Sequence, residues 1–148
     1  MKEVTKVVFL LNITKVGDCA CFHAFNLVIV DIPEGITIIG KDSFGCCSSL
    51  KSITFPKSLT YIGEYSFGYC SSLEEVDLLH THVRELGTWA FAGCTSLREM
   101  KIPDSLQKFG GSVFTNCSKL FPSTIDIDDE IDEDDVTSEA IAYLRSRQ

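Results

Sequence analysis

The sequence predicts an α/β-type repeat solenoid, with a short parallel β-sheet, short helical turns on the back and a C-terminal helix. Three observations predict it: a repeat of 23 to 24 residues, alternation of apolar and polar residues within each copy, and a helical pattern near the end. Hydrophobic residues make up 45% of the 148 residues, which is enough for a continuous core.

The repeat is clearest in residue types that recur at fixed positions, which we call columns. The glycine column contains Gly17, Gly40, Gly63, Gly87 and Gly110, separated by 23, 23, 24 and 23 residues. Three further columns follow the same steps: Phe44, Phe67, Phe91 and Phe114; Cys47, Cys70, Cys94 and Cys117; Leu50, Leu73, Leu97 and Leu120. The one extra residue is predicted within 78–82, where a repeated proline is missing. We therefore expect a solenoid over residues 1–125, with about five coils and a degenerate first coil.

Each coil is predicted to contain a strand, a bend and a compact arc. In residues 50–56, apolar Ile53 and Phe55 alternate with polar neighbours, which is the period of a strand with one face inward. Pro56 ends this strand because it cannot donate to a ladder. Gly63 is expected to permit a bend, and residues 42–47 to form a short helical turn on the back. Stacking of such coils would bury like residues against like.

The sequence of one repeat resembles the repeat of a known protein family. Residues 62–76, IGEYSFGYCSSLEEV, resemble the BspA-type leucine-rich repeat, whose pattern is roughly I-G-x-x-A-F-x-x-C-x-x-L-x-x-I-x-x-P. The similarity covers about residues 4–125. It implies a right-handed solenoid in which each coil gives one short strand to a parallel sheet. It also implies a role in protein binding, adhesion or surface recognition.

The seven cysteines cannot all pair within the chain because their number is odd. We interpret the cysteine column as buried thiols that act as small apolar groups. Disulfides between stacked coils are one alternative, and a metal site at 19–21 with 46–47 is another, although paired C-x-x-C spacing is missing. His80 and His82 are a further metal alternative, for which the sequence shows no third ligand.

The charge distribution and the sequence motifs limit the classes of function that the chain can have. Residues 1–125 carry 11 basic and 12 acidic residues, whereas residues 126–148 carry 2 and 9, so the acidity lies in the tail. A near-neutral body does not fit a nucleic-acid binder, and no apolar run is long enough to span a membrane. No catalytic or nucleotide-binding motif occurs, so we expect neither an enzyme nor a cofactor. We predict a monomeric protein-protein interaction module with an unidentified protein partner; a structural or adhesive repeat protein is the alternative.

Two surfaces are candidates for partner binding. The first is the predicted strand face, where the third coil is acidic and the fourth is mixed: Glu74, Glu75, Asp77, Glu99 and Lys101. The second is an edge at which Tyr65 and Trp89 are expected side by side on adjacent coils, with Tyr69 nearby. Many thiols without a disulfide framework favour the cytoplasm, and secretion or the cell surface is the alternative.

The tail divides into two segments. Residues 126–135 hold eight carboxylates, which predict an extended acidic linker; the spacing lacks the glycine of a calcium-binding loop. Residues 136–148 predict a helix with one apolar stripe, formed by Val136, Ala140, Tyr143 and Leu144. We expect this helix to cap the last coil, and a partner-binding helix is the alternative.

Overall fold

A computed structural model describes residues 4–122 and 133–148. Within these ranges, short strands follow one another and a single helix ends the order. The elements are β1 (Lys15–Val16), β2 (Ile29–Asp31), β3 (Ile38–Ile39), β4 (Ser52–Thr54), β5 (Tyr61–Ile62), β6 (Glu75–Asp77), β7 (Glu85–Leu86), β8 (Glu99–Lys101), β9 (Lys108–Phe109) and α1 (Glu133–Ser146).

All strand pairs are parallel, and they form two kinds of ladder. A five-stranded sheet runs in the order β1-β3-β5-β7-β9, with one strand from each of five coils. Separate two-stranded sheets join β2 to β4 and β6 to β8. The predicted solenoid is confirmed, but the first four coils give two strands each rather than one. The sequence pattern missed the strand before each repeat glycine because it is only two residues long.

The phenylalanine column forms the centre of the core, as predicted. The rings of Phe44 and Phe67 stack with centroids 5.4 Å apart, and those of Phe67 and Phe91 with centroids 5.3 Å apart. Phe114 continues the stack at 6.3 Å from Phe91. Offset stacking of this kind adds to the free energy gained by burying the rings. The leucine column is also buried throughout.

The repeat glycines of the second to fifth coils are required by the distance between coils, and their φ angles are not in the left-handed region. A Cβ atom added to Gly63 would lie 2.7 Å from the carbonyl oxygen of Ile39 in the preceding coil. No real Cβ atom sits so close to a backbone atom, so a side chain would push the coils apart. The predicted bend is therefore better described as a close backbone contact.

The cysteine column is buried, and its thiols donate hydrogen bonds, which the sequence did not predict. The Sγ atoms of Cys70, Cys94 and Cys117 lie 3.2, 3.2 and 3.0 Å from backbone oxygens of the phenylalanine column in the preceding coil. Cys47 makes the equivalent bond to Cys21 O at 3.2 Å. All seven cysteines are free thiols, so the alternative of disulfides between coils is not adopted.

Burial raises the pKa of these core thiols. Desolvation raises the pKa of Cys47 to about 12, and burial also raises that of Cys70. The hydrogen bond with Cys117 and burial both raise the pKa of Cys94. Since the thiolate is the reactive form, these groups stay protonated and unreactive at neutral pH.

Helix α1 begins at Glu133, three residues before the predicted start, and ends at Ser146. Acidic residues such as those assigned to the linker are favoured in a first helical turn, which explains the earlier start. Ala140, Ile141 and Leu144 are buried, and the Tyr143 ring lies 5.5 Å from that of Phe121. The predicted stripe is thus confirmed at three of its positions, while the side chain of residue 136 lies outside the described part of the chain, as do residues 126–132 of the predicted linker.

We predict that Phe67→Ala lowers the free energy of unfolding by about 3–5 kcal/mol, because a buried ring leaves a cavity. Tyr69→Ala should cost less, because its side chain is 51% exposed. Thermal unfolding followed by circular dichroism compares the two variants. A larger loss of melting temperature in Tyr69→Ala would contradict the assigned register.

Ser66→Ala should not destabilise the fold. Within the described residues the hydroxyl of Ser66 is buried without a hydrogen-bond partner, and alanine occupies the same column at Ala20 and Ala90. Removing the hydroxyl should raise the free energy of unfolding by about 1 kcal/mol. Ser58→Ala is the control, since Ser58 Oγ donates to Ile36 O at 2.7 Å and its loss should lower stability. Urea unfolding that gave equal losses for both variants would contradict the assigned burial.

Thiol labelling at pH 8 should separate the cysteines into two classes. Cys19 is exposed and Cys46 is half-buried, so both should react with a small disulfide reagent in the native protein. The other five should react only after unfolding, because burial protects them and raises the pKa of those named above. Mass spectrometry of the labelled peptides tests this, and fast native labelling of Cys70 would refute it.

Candidate functional site

The back of each coil contains two positions whose backbone adopts the left-handed conformation. We call them the first and second left-handed columns. The first column is Cys19, Asp42, Tyr65, Trp89 and Ser112, and the second is His23, Cys46, Tyr69, Gly93 and Asn116. The nine non-glycine members have φ between 54° and 63°, and Gly93 has φ of 73°. The columns arise from the turns of the arc, which are closed by bonds such as Ser66 N to Gly63 O at 3.3 Å and Gly68 N to Tyr65 O at 3.1 Å.

The residues in these columns share one backbone conformation but differ in how readily their types adopt it. Asp42, Gly93 and Asn116 are of the types that adopt positive φ most readily. Tyr65, Tyr69 and Trp89 are not, and a side chain in this conformation costs roughly 1–2 kcal/mol per residue. We call these three residues the aromatic edge. They lie on the third and fourth coils, which are adjacent in the stack.

The Tyr65 ring packs against the backbone of two coils. A Cβ atom on Gly68 would lie 2.7 Å from the Tyr65 ring, and one on Gly45 of the preceding coil would lie 3.2 Å from it. The Tyr65 hydroxyl is 3.9 Å from Cys46 Sγ. Burial, followed by the neighbouring Cys46, raises the pKa of Tyr65, so its hydroxyl stays protonated. Tyr65 therefore forms the half-buried base of the aromatic edge.

Tyr69 extends the aromatic edge toward the fourth coil. Its ring centroid lies 5.9 Å from that of Tyr65, and a Cβ atom on Gly93 would lie 2.6 Å from the Tyr69 ring. Trp89 is 48% exposed and makes no ring-ring contact within the described residues. The structure thus brings the rings of Tyr65 and Tyr69 into contact. Trp89 is next to Thr88 in the sequence, and the Thr88 carbonyl accepts a hydrogen bond from the Tyr65 N–H at 2.9 Å.

The glycines beneath the rings were missed by sequence reasoning. Gly68 and Gly93 leave room for the rings of Tyr65 and Tyr69, and a side chain at either position would displace the ring. A signal was present, because both glycines are buried and the position of Gly68 holds the small residues Gly45 and Ala92 in the neighbouring coils. Small residues at equivalent positions of successive coils could have indicated rings that lie flat on the backbone.

The predicted strand face has a different character, because its charges pair with each other. Arg98 Nη2 lies 3.1 Å from Glu74 and 3.0 Å from Glu75. Lys101 Nζ lies 3.8 Å from Glu99. Asp77 Oδ1 accepts a hydrogen bond from Leu79 N at 2.9 Å.

These strand-face residues lie on β6 and β8 or directly before them, which are paired in register, so the structure does bring them together. The ionic side chains are about half exposed, and pairs of this kind contribute at most about 1 kcal/mol each. Because the charge of Arg98 offsets one of the two carboxylates that it contacts, the acidic character expected of the third coil is reduced. The strand face is a polar, internally satisfied surface.

The metal alternatives lack a ligand set in the described part of the chain, which holds no group of three or more His, Cys, Asp or Glu placed to share an ion. His82 Nδ1 instead lies 2.7 Å from Lys57 O. Among the described helices, none is long and apolar enough to cross a membrane.

Comparisons with known proteins agree with this architecture. The BspA-type leucine-rich repeat region matches residues 1–133 in six copies. The crystal structure of a leucine-rich repeat protein of T. pallidum gives a TM-score of 0.70 at 28% identity, over 73% of this chain and 50% of that one. The structure of a leucine-rich repeat protein from Bacteroides ovatus gives a TM-score of 0.65 at 27% identity, over 80% of this chain and 36% of that one. Comparison with curated proteins gave no match.

The chain therefore spans half or less of the length of these two solved proteins. The match to the repeat covers most of the chain, and the stacked phenylalanine, cysteine and leucine columns are the structural expression of its pattern. On these grounds the chain belongs to the BspA-type leucine-rich repeat family.

Proposed function

We propose that this chain is a non-catalytic protein-binding module and that the aromatic edge is its contact surface. Repeats of this family are associated with protein interaction and surface adhesion, and they generally form scaffolds rather than catalytic centres. The observation that carries the proposal is the presence of Tyr65, Tyr69 and Trp89 at left-handed positions, where asparagine or glycine would cost less free energy.

The composition of the aromatic edge supports binding. Tyrosine and tryptophan are the residues most often found at the energetic centre of protein interfaces. Tyr69 and Trp89 are 51% and 48% exposed, so about half of each side chain remains for a partner to cover. Tyr65 and Gly93 hold Tyr69 in place, which lowers the entropy lost on binding. The strand face supports binding less, because a partner would have to compete with its internal ion pairs.

A structural or surface-adhesion repeat is the second candidate function. It is favoured by the family's association with adhesion and by the greater length of the solved relatives. The cytoplasm is the compartment expected from the thiols, and the family's association with surface adhesion supports the alternative, which is secretion or the cell surface.

The experiment compares wild type with a Tyr69→Asn/Trp89→Asn variant as immobilised bait for extracts of the source cells, with quantitative mass spectrometry. Asparagine tolerates positive φ, so we expect the stability of the variant to stay within about 1 kcal/mol of wild type. A protein captured by wild type should be lost from this variant by about tenfold or more, the loss expected when interface aromatic residues are removed.

Two controls locate the surface. Phe25→Asn removes an aromatic side chain of similar exposure, 43%, from the first coil. Arg98→Ala removes the two ion pairs that this residue makes on the strand face. Capture that survives the Tyr69/Trp89 double variant but is lost in Arg98→Ala would assign binding to the strand face. The absence of specific capture by wild type would favour the adhesive repeat.

A further inference from the structure

Each coil in the stack satisfies backbone groups of the coil before it in a repeated way. The carbonyl oxygens of Ile36 and Val83 accept hydrogen bonds from serine hydroxyls of the next coil, both at 2.7 Å. Leu59 O, at the same position, accepts from His82 N at 3.0 Å. In each coil this carbonyl is therefore a hydrogen-bond acceptor for the next element of the stack.

A second group behaves similarly on the other side of the coil. Ile32 N donates to Thr54 O at 3.0 Å, and Leu78 N donates to Lys101 O at 2.8 Å. The last equivalents of these two groups are Leu106 O and Ile102 N. Both are part of the end of the stack that helix α1 covers.

Helix α1 supplies both missing partners through side chains. Arg145 Nη2 donates to Leu106 O at 3.2 Å, and to Asp104 O at 3.4 Å. The side-chain oxygen of Gln148, just after the helix, accepts from Ile102 N. The Arg145 guanidinium and the Gln148 side-chain oxygen therefore replace the donor and the acceptor that a further coil would supply.

The apolar face of the helix completes the replacement. Ala140, Ile141 and Leu144 are buried to within 8% residual exposure. Phe121 contacts both Tyr143 of the helix and Phe114, the last ring of the phenylalanine column. The stacked core therefore continues into the helix.

We propose that helix α1 acts as a substitute coil that closes this end of the solenoid against stacking of a second copy of the chain. The opposite end, where the N-terminal segment precedes β1, presents exposed apolar side chains, since Val8, Leu10 and Leu11 are 75%, 75% and 91% exposed. An uncovered fifth coil would leave the rings of Phe114 and Phe121 free to pack against that surface. A contact of this head-to-tail kind does not close on itself, so it produces open chains of molecules.

The hydrogen-bond part is tested by amide hydrogen exchange in the full-length protein. Gln148→Ala should increase the exchange rate of the Ile102 amide by about tenfold, the effect of one lost hydrogen bond. Arg147→Ala is the matched control, because Arg147 contacts the Tyr143 ring of its own helix. Unchanged exchange at Ile102 in Gln148→Ala would overturn the assigned role of this residue.

The closing role is tested by sedimentation of a full-length Leu144→Asp variant, which places a charge in the buried contact. We expect the solenoid to remain folded by circular dichroism and its apparent mass to rise with concentration, while wild type stays monomeric. Leu144→Ala serves as the milder variant should the aspartate disturb the fold. A folded variant that loses Ile102 protection yet remains monomeric at high concentration would overturn the proposal. Neither readout involves the aromatic edge, so failure here leaves the proposed binding function unaffected.

Discussion

Every coil must lie on the next in one parallel register, and the other features of the structure depend on this constraint. The five-stranded sheet joins equivalent residues, such as Ile39 to Ile62 and Ile62 to Leu86, over the length of the stack. A repeat of constant length is therefore necessary, and the single insertion is confined to a loop. The same register places ring upon ring in the phenylalanine column and brings glycine to the points at which the backbones approach most closely.

The register also explains why cysteine occupies its column. The position is buried next to a backbone carbonyl of the preceding coil, and it needs a small side chain that can donate a hydrogen bond. Alanine would leave that second contact unmade, and a hydroxyl group is more costly to bury than a thiol. A thiol meets both conditions, and burial keeps it in the protonated form that can donate. The column is thus a structural consequence of stacking rather than a reactive site.

Sequence reasoning identified the features that every coil shares and missed those that depend on local backbone conformation. The columns of Phe67, Cys70 and Leu73 were predicted because burial selects one residue type at one spacing. The two-residue strands were missed, since so short a segment shows no alternation. The left-handed positions were hidden because tyrosine and tryptophan are not residue types that indicate positive φ. The aromatic surface was predicted from residue type and repeat spacing, whereas the pairing of Arg98 with Glu74 and Glu75 required side-chain geometry that no spacing reveals.

The left-handed columns have a consequence for how such a protein can change over generations. Their side chains point away from the stacked core, so a replacement there leaves the register of neighbouring coils intact. Asp42 and Trp89 occupy equivalent positions and share one backbone conformation, although one side chain is a carboxylate and the other an aromatic ring. Each coil therefore carries two positions that accommodate side chains of different chemistry without a change in the register of the stack. Duplication of a coil would add two more such positions without redesign of the scaffold.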